Sequence, residues 1–282
     1  MCTGGMPVDR EKEEDKKESD KGYHWLRSKL GNFLRWGFGH VNELPPQTQW
    51  EVPWGLGRVC WILVSWAFIF ATIGSPILSF PPMDMTQPEL IINRKYALRF
   101  LLLDVLQLGT TIGLLVWNLA QFQPLKRGWF PVRFWPGQWI RYVFFASLFF
   151  PCVDGAAKLG QHIFPTDCDT LTLSLSDSLG TRDPVTLGLY FAIMALCAPL
   201  WEEIMFRGFL LPSLLRYMPM VPAILVSAVV FAVAHWNIQR LFPLVILGVL
   251  FGSLFATSRN LLSPILLHSL WNVYTLLSMS FR

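Results

Sequence analysis

The sequence predicts an all-α membrane protein with about eight transmembrane helices, and three observations predict it. Hydrophobic residues make up 53% of the 282 and charged residues only 15%, where a soluble domain carries nearer a quarter. The charges are also crowded, since residues 9–21 hold seven acids and five bases and long stretches elsewhere hold none. Several of those stretches reach the ~20 apolar residues that a hydrocarbon core about 30 Å thick requires of a helix. Inside lipid, helices are the natural way to satisfy the backbone.

Residues 1–22 are polar and too poor in apolar side chains to fold, so a disordered charged tail is expected there. Residues 23–58 form an interfacial segment and linker. Trp25, Leu26, Leu30, Phe33 and Leu34 alternate with Arg27, Lys29 and Arg35, a pattern that fits a helix lying on a membrane surface and equally a loop with aromatic anchors. No cleavable secretory signal is expected in the first 58 residues, and a transit peptide would already have been removed. Residues 59–184 then carry the N-terminal spans, at 59–78, at 97–120 with Asp104 and Gln107 as polar exceptions, and at about 139–158. Asp104 and Asp154 read first as partners for neighbouring helices. The acidic connection 160–184 sets Asp167, Asp169, Asp177 and Asp183 against Arg182 alone.

Residues 185–282 hold closely packed apolar runs at 185–200, 201–217, 222–236, 241–258 and 261–279. Their expected breaks are Pro199, Pro219 with Pro222, residues 237–240, and Arg259 to Pro264. The linker bearing Lys126, Arg127 and Arg133 is basic where the 160–184 connection is acidic. The positive-inside rule therefore puts the N-terminus and residues 126–141 on the cytoplasm-like side.

Composition also excludes classes. A net charge of +4 with scattered bases lacks the basic stripe of a nucleic-acid binder. Cys2, Cys60, Cys152, Cys168 and Cys197 show no CxxC spacing, so no disulfide framework is expected, and Cys60 and Cys197 read as small core residues. No cofactor is expected. The sequence does not indicate an oligomeric state.

Chemistry concentrates in three C-terminal runs. In the first, Glu202 and Glu203 follow Pro199, which is read as opening a helix whose first-turn dipole favours the two charges. Glu203 and Arg207 are four apart and meet on one helical face. Glu202 points about 100° away, free for other work. The second run ends Phe231-Ala-Val-Ala-His235, and the third holds His268 and Asn272 one turn apart. Each alone is as well read as a satisfied polar residue in a helix. Together, polar groups able to reach one another in apolar surroundings are the material of an active site. A carboxylate paired with an imidazole can deprotonate water. A second imidazole and an amide can donate to the oxyanion formed when that water attacks a carbonyl. The HExxH zinc-protease helix is absent. Zinc on His235, His268 and a glutamate is the lesser alternative to direct water activation.

At these elements, Glu202-Glu203-Ile-Met-Phe-Arg207, Phe231-Ala-Val-Ala-His235 and His268-Ser-Leu-Trp-Asn272 match the ordered motifs EExxxR, FxxxH and HxxxN. The sequence thereby resembles the CAAX-protease and bacteriocin-processing (CPBP, or Abi) family of intramembrane glutamic endopeptidases. The resemblance covers about residues 185–279 and implies an eight-helix fold around a water-filled intramembrane cavity. It implies that Glu202 and His235 activate water, that His268 and Asn272 stabilise the oxyanion, and that Glu203, Arg207 and Phe231 support them. The implied partners are the lipid bilayer and a peptide or membrane-protein substrate, in the namesake case a prenylated CAAX C-terminus that loses its last three residues. Residues 201–219 and 237–272 look like the plant and algal plastid branch, which implies a thylakoid or envelope membrane of the chloroplast. A non-proteolytic scaffold or regulator of partner membrane proteins would keep the same polar cluster. A transporter is disfavoured, because no repeat relates the two halves.

Overall fold

Helices are the only regular structure among the described residues, as a lipid-embedded backbone requires. The computed structural model describes residues 52–74, 76–77, 86–135, 137–164, 175–176, 179–180 and 182–280. The expected tail and residues 23–51 of the expected interfacial segment and linker lie outside these residues, as do Asp167, Asp169 and Asp177.

Eight principal helices occur in this part of the chain. They are α1 (Leu56–Ile69, prolonged by a π turn to Gly74), α2 (Glu89–Leu119, prolonged to Phe122), α3 (Gln138–Ser147) and α4 (Phe150–Ile163). After these come α5 (Pro184–Leu215), α6 (Met220–Val233), α7 (Leu241–Ser258) and α8 (Leu262–Ser280). Four of them, α1, α2, α5 and α7, are long and apolar enough to cross a membrane, and α3 with α4 makes a fifth if the bent pair is one span. The chain is an integral membrane protein. Fewer helices qualify as spans than the eight expected. Helix α6 has only 14 residues, and α8 is diluted by the polar side chains of its own motif.

Two expected boundaries fall elsewhere, and proline explains both. The third apolar run bends by 43° between Ser147 and Phe150, because Pro151 has no N–H for the Ser147 carbonyl one turn back. The runs on either side of Pro199 are instead a single helix, α5. There a π segment, Ala192–Cys197, widens the turn just before the proline, and a second, Ile204–Leu210, does the same before Pro212. Widening the ladder relieves the clash between a proline ring and the preceding turn. Glu202 and Glu203 therefore lie in mid-helix, and the helix-terminal dipole expected to favour their charge is not available to them.

The two ends of the bundle are fastened differently. At one end Asp183 caps α5, its Oδ2 accepting from the Thr186 amide at 3.1 Å and the Thr186 hydroxyl at 2.6 Å. Arg94 of α2 donates to both oxygens of the same carboxylate at 2.8 Å. The Arg94 guanidinium first, and the Thr186 hydroxyl second, hold the Asp183 carboxyl well below the usual range. At the other end, the Trp54 indole donates to Ser213 at 2.8 Å and its ring packs on Phe122, Trp129 and Phe209.

Helices α6 and α7 pack most closely. A Cβ on Gly248 would lie 2.7 Å from the Ala228 Cβ, so the two backbones touch as small-residue contacts in membranes allow. Cys60 faces outward from α1 rather than into a core, and Cys197 is half-buried. In lipid the outward face is as apolar as the interior, so hydrophobicity does not say which way such a residue points. Asp154 pairs with Lys158 one turn on, at 2.7 Å.

Candidate active site

The two acids occupy the six-residue α segment Ala198–Glu203, set between the two π segments of α5. Both are buried, Glu203 completely. Their side chains diverge as adjacent helical positions must.

Glu203 faces the support. Its Oε1 accepts from Arg207 Nη1 at 2.9 Å and from His268 Nδ1 at 2.9 Å. Arg207 is itself wholly buried. Its guanidinium lies 4.4 Å over the Phe231 ring and 5.1 Å over the Phe251 ring, and it donates to the Gly248 carbonyl at 3.3 Å. A buried ion is tolerable only when paired and hydrogen-bonded in this way.

Glu202 faces two imidazoles. Its Oε2 is 3.7 Å from His235 Nε2 and 3.9 Å from His268 Nε2, with no direct hydrogen bond to either. The tautomers follow from the opposite ring atoms. His235 Nδ1 lies 2.8 Å from the Phe231 carbonyl, which can only accept, so that nitrogen carries the proton. His268 Nδ1 donates to the Glu203 carboxylate in the same way. Both Nε2 atoms therefore turn toward Glu202, each with a lone pair in the neutral ring.

Aromatic rings fix these orientations. His268 stacks on Phe251 with centroids 4.8 Å apart, and His235 meets Phe231 edge-on at 4.8 Å. Phe231 thus borders His235, His268 and Arg207 together. Helix α6 ends at Val233, and Trp236, just past His235, has a left-handed φ of 52°. A bulky residue seldom adopts that conformation, and here it turns the chain sharply away from the site.

Asn272 is placed differently. Its Nδ2 donates to the Met194 carbonyl at 2.8 Å, and Ser269 Oγ donates to the Ala195 carbonyl at 2.7 Å. These carbonyls stand five and four residues before Pro199. They are the two that a π or an α hydrogen bond from residue 199 would have served, and proline has no N–H to give. Helix α8 thus docks on α5 through the carbonyls that Pro199 leaves free, and this fixes His268 opposite Glu202. One N–H of the Asn272 amide remains for other use.

Three contributors escaped the sequence reading. Ser269 and Phe251 carried no motif signal, although Ser269 sits inside the HxxxN run. Pro199 read as a helix start rather than as a maker of docking points. Asp104, read from the sequence as a partner for a neighbouring helix, accepts from the Trp201 indole of α5 at 3.1 Å through its Oδ1, next to Glu202.

Residues 184–274, which hold every one of these motif side chains, match the Rce1-like family of type II CAAX prenyl endopeptidases. The likeness is confined to this C-terminal region. It begins at the first residue of α5 and ends six residues before the end of α8, so the match follows the helices that build the site. Helices α1 to α4 lie outside it. No curated protein and no solved structure matches the chain.

Proposed function

We propose that the protein is an intramembrane endopeptidase of the CAAX-protease type, hydrolysing a peptide bond with water activated by Glu202 and His235. The observation that carries this reading is the gap around Glu202 Oε2. A carboxylate oxygen and two imidazole Nε2 atoms converge at 3.7 and 3.9 Å, too long for direct hydrogen bonds and suited to one water bridging them. In the proposed cycle that water passes a proton to the Glu202–His235 pair as it attacks the scissile carbonyl. His268 donates to the oxyanion through Nε2 once that nitrogen has taken the water's proton from the Glu202–His235 pair, and Glu203 holds its other nitrogen. The proton then passes to the leaving amine as the carbon–nitrogen bond breaks. The remaining N–H of Asn272 is the second donor. The cavity around this water, the peptide or membrane-protein substrate and a plastid membrane location belong to the same proposal. The location rests on the sequence resemblance alone.

The test is turnover by the purified protein in lipid, on C-terminal CAAX peptides with and without a prenyl group and on membrane-protein peptides. Glu202→Gln and His235→Ala should each lower turnover by roughly 10²–10⁴-fold, the usual worth of a general base, with the thermal transition unchanged. Equal cutting by wild type and both variants would remove the reading.

The commitment of Asn272 to the Met194 carbonyl also suits a second reading, in which the cluster serves only to assemble a scaffold for partner membrane proteins. That reading expects no turnover from any form, and partner binding that survives Glu202→Gln.

A further inference from the structure

The loop between α2 and α3 lies apart from the site and carries a chemistry of its own. From Asp104 to Asp154 the chain has no intervening acid and four bases, Lys126, Arg127, Arg133 and Arg141. All four are exposed, and Lys126, Arg127 and Arg133 join no ion pair among the described residues. Beside them stand three large apolar side chains that the protein leaves uncovered, Leu125 at 75% exposure, Phe134 at 73% and Trp135 at 86%.

This loop is held in place. Asn260 clasps Arg133, its Oδ1 accepting from the Arg133 amide at 2.9 Å and its Nδ2 donating to the Arg133 carbonyl at 2.6 Å. The Leu261 amide donates to the Pro131 carbonyl at 2.8 Å. The Phe130 ring lies over Gly208, where a Cβ would come within 2.7 Å of it. Trp129 meets the Trp54 ring edge-on at 5.9 Å.

The same contacts set its depth. The spans end at Phe122 in α2, Leu215 in α5 and Ser258 in α7. The loop starts at the first of these ends and is bonded two to three residues past the third. Trp54, which it touches, is fastened to Ser213 near the second. Three apolar helices thus end at the level where the bases and aromatic tips are exposed.

We propose that residues 123–135 form a binding surface for the headgroups of anionic membrane lipids. The bases meet lipid phosphates while Phe134, Trp135 and Leu125 enter the interface beside them, the depth at which amphipathic rings settle. Each base near an anionic leaflet strengthens attachment roughly fivefold, and a pinned loop gives up little freedom on binding. A soluble acidic protein fits less well, because the bases are interleaved with apolar tips at bilayer level. The proposal does not depend on hydrolysis. Because the loop is tied to α5 beside Arg207 and to the start of α8, headgroups bound there also brace the two helices that hold Glu202 and His268 together.

The test uses the full chain, equilibrated in equal phosphatidylglycerol and phosphatidylcholine, with retained lipids counted by native mass spectrometry. Wild type should retain phosphatidylglycerol selectively, and less so as salt rises. The triple variant K126Q/R127Q/R133Q should lose about 100-fold of that preference, following the roughly fivefold contribution per base. K95Q, an exposed base near the start of α2 at the far end, should keep it. Folding is checked by thermal transition in phosphatidylcholine alone. If the triple variant fails that check, K126Q by itself should still show a loss of about fivefold. The proposal is overturned if the folded variant selects lipid as wild type does, if K95Q is equally impaired, or if an added acidic peptide rather than lipid is retained.

Discussion

Helices α1 and α2 and helices α5 and α7 are built from much the same apolar residues, yet they use them in opposite ways. In the first pair only 17% and 22% of the most apolar stretch is buried inside the protein, against 28% and 44% in the second. Trp61, Val64 and Phe68 of α1, and Val116 and Trp117 of α2, all face outward. The N-terminal helices spend their side chains on lipid, where any apolar residue of sufficient length serves. The C-terminal helices spend theirs on one another, where glycine, alanine and paired polar groups decide the fit. Hydrophobicity puts a helix in the membrane, and small and polar residues tell it where to sit.

The sharpest break in that contrast is at Arg207. Arg207→Met leaves Glu203 buried without its partner, a loss of about 3–5 kcal/mol. Wild type and variant should differ by that amount in denaturant unfolding in mild detergent, and a smaller difference would mean that the pair is not desolvated as its burial indicates.

Next comes Gly248. Gly248→Ala drives a methyl group into Ala228 between α6 and α7 and should cost about 1–3 kcal/mol, the range for overpacking. Ser269→Ala removes one hydrogen bond, worth about 1 kcal/mol, but its cost should depend on Pro199. In a Pro199→Ala background the residue-199 amide can serve the freed carbonyls itself, so the Ser269 penalty should shrink markedly in a double-mutant cycle. Strict additivity would show that α8 does not dock through those carbonyls. The smallest effect has the opposite sign. Gly113 on α2 has open space around it, so Gly113→Ala should be neutral or stabilise by up to about 1 kcal/mol, the helix-propensity difference. Thermal scans of Gly248→Ala and Gly113→Ala side by side test the comparison directly.

Much of the site was legible. The adjacent acids, their spacing to Arg207, and the two histidines on apolar runs stood in the sequence because ionisable residues in such surroundings need a reason to be there. The i to i+4 pairing of Glu203 with Arg207 followed from helical geometry alone, and the structure shows it at 2.9 Å. Less legible was the division of labour. Glu203 looked like a partner for Arg207 only, yet it also orients His268. Asn272 looked free, yet its amide is engaged by a carbonyl 78 positions earlier. The helix count agrees at eight by compensation, since one expected helix is two and two expected helices are one.

The sequence by itself determined that the chain is helical and membrane-embedded and which polar side chains needed partners, because hydropathy and periodicity are properties of neighbours along the chain. Only the tertiary structure decided which partner each received and that Pro199 joins a helix instead of starting one. Those outcomes depend on carbonyls, rings and hydroxyls brought together from distant positions, and helix periodicity carries no record of what lies across the gap.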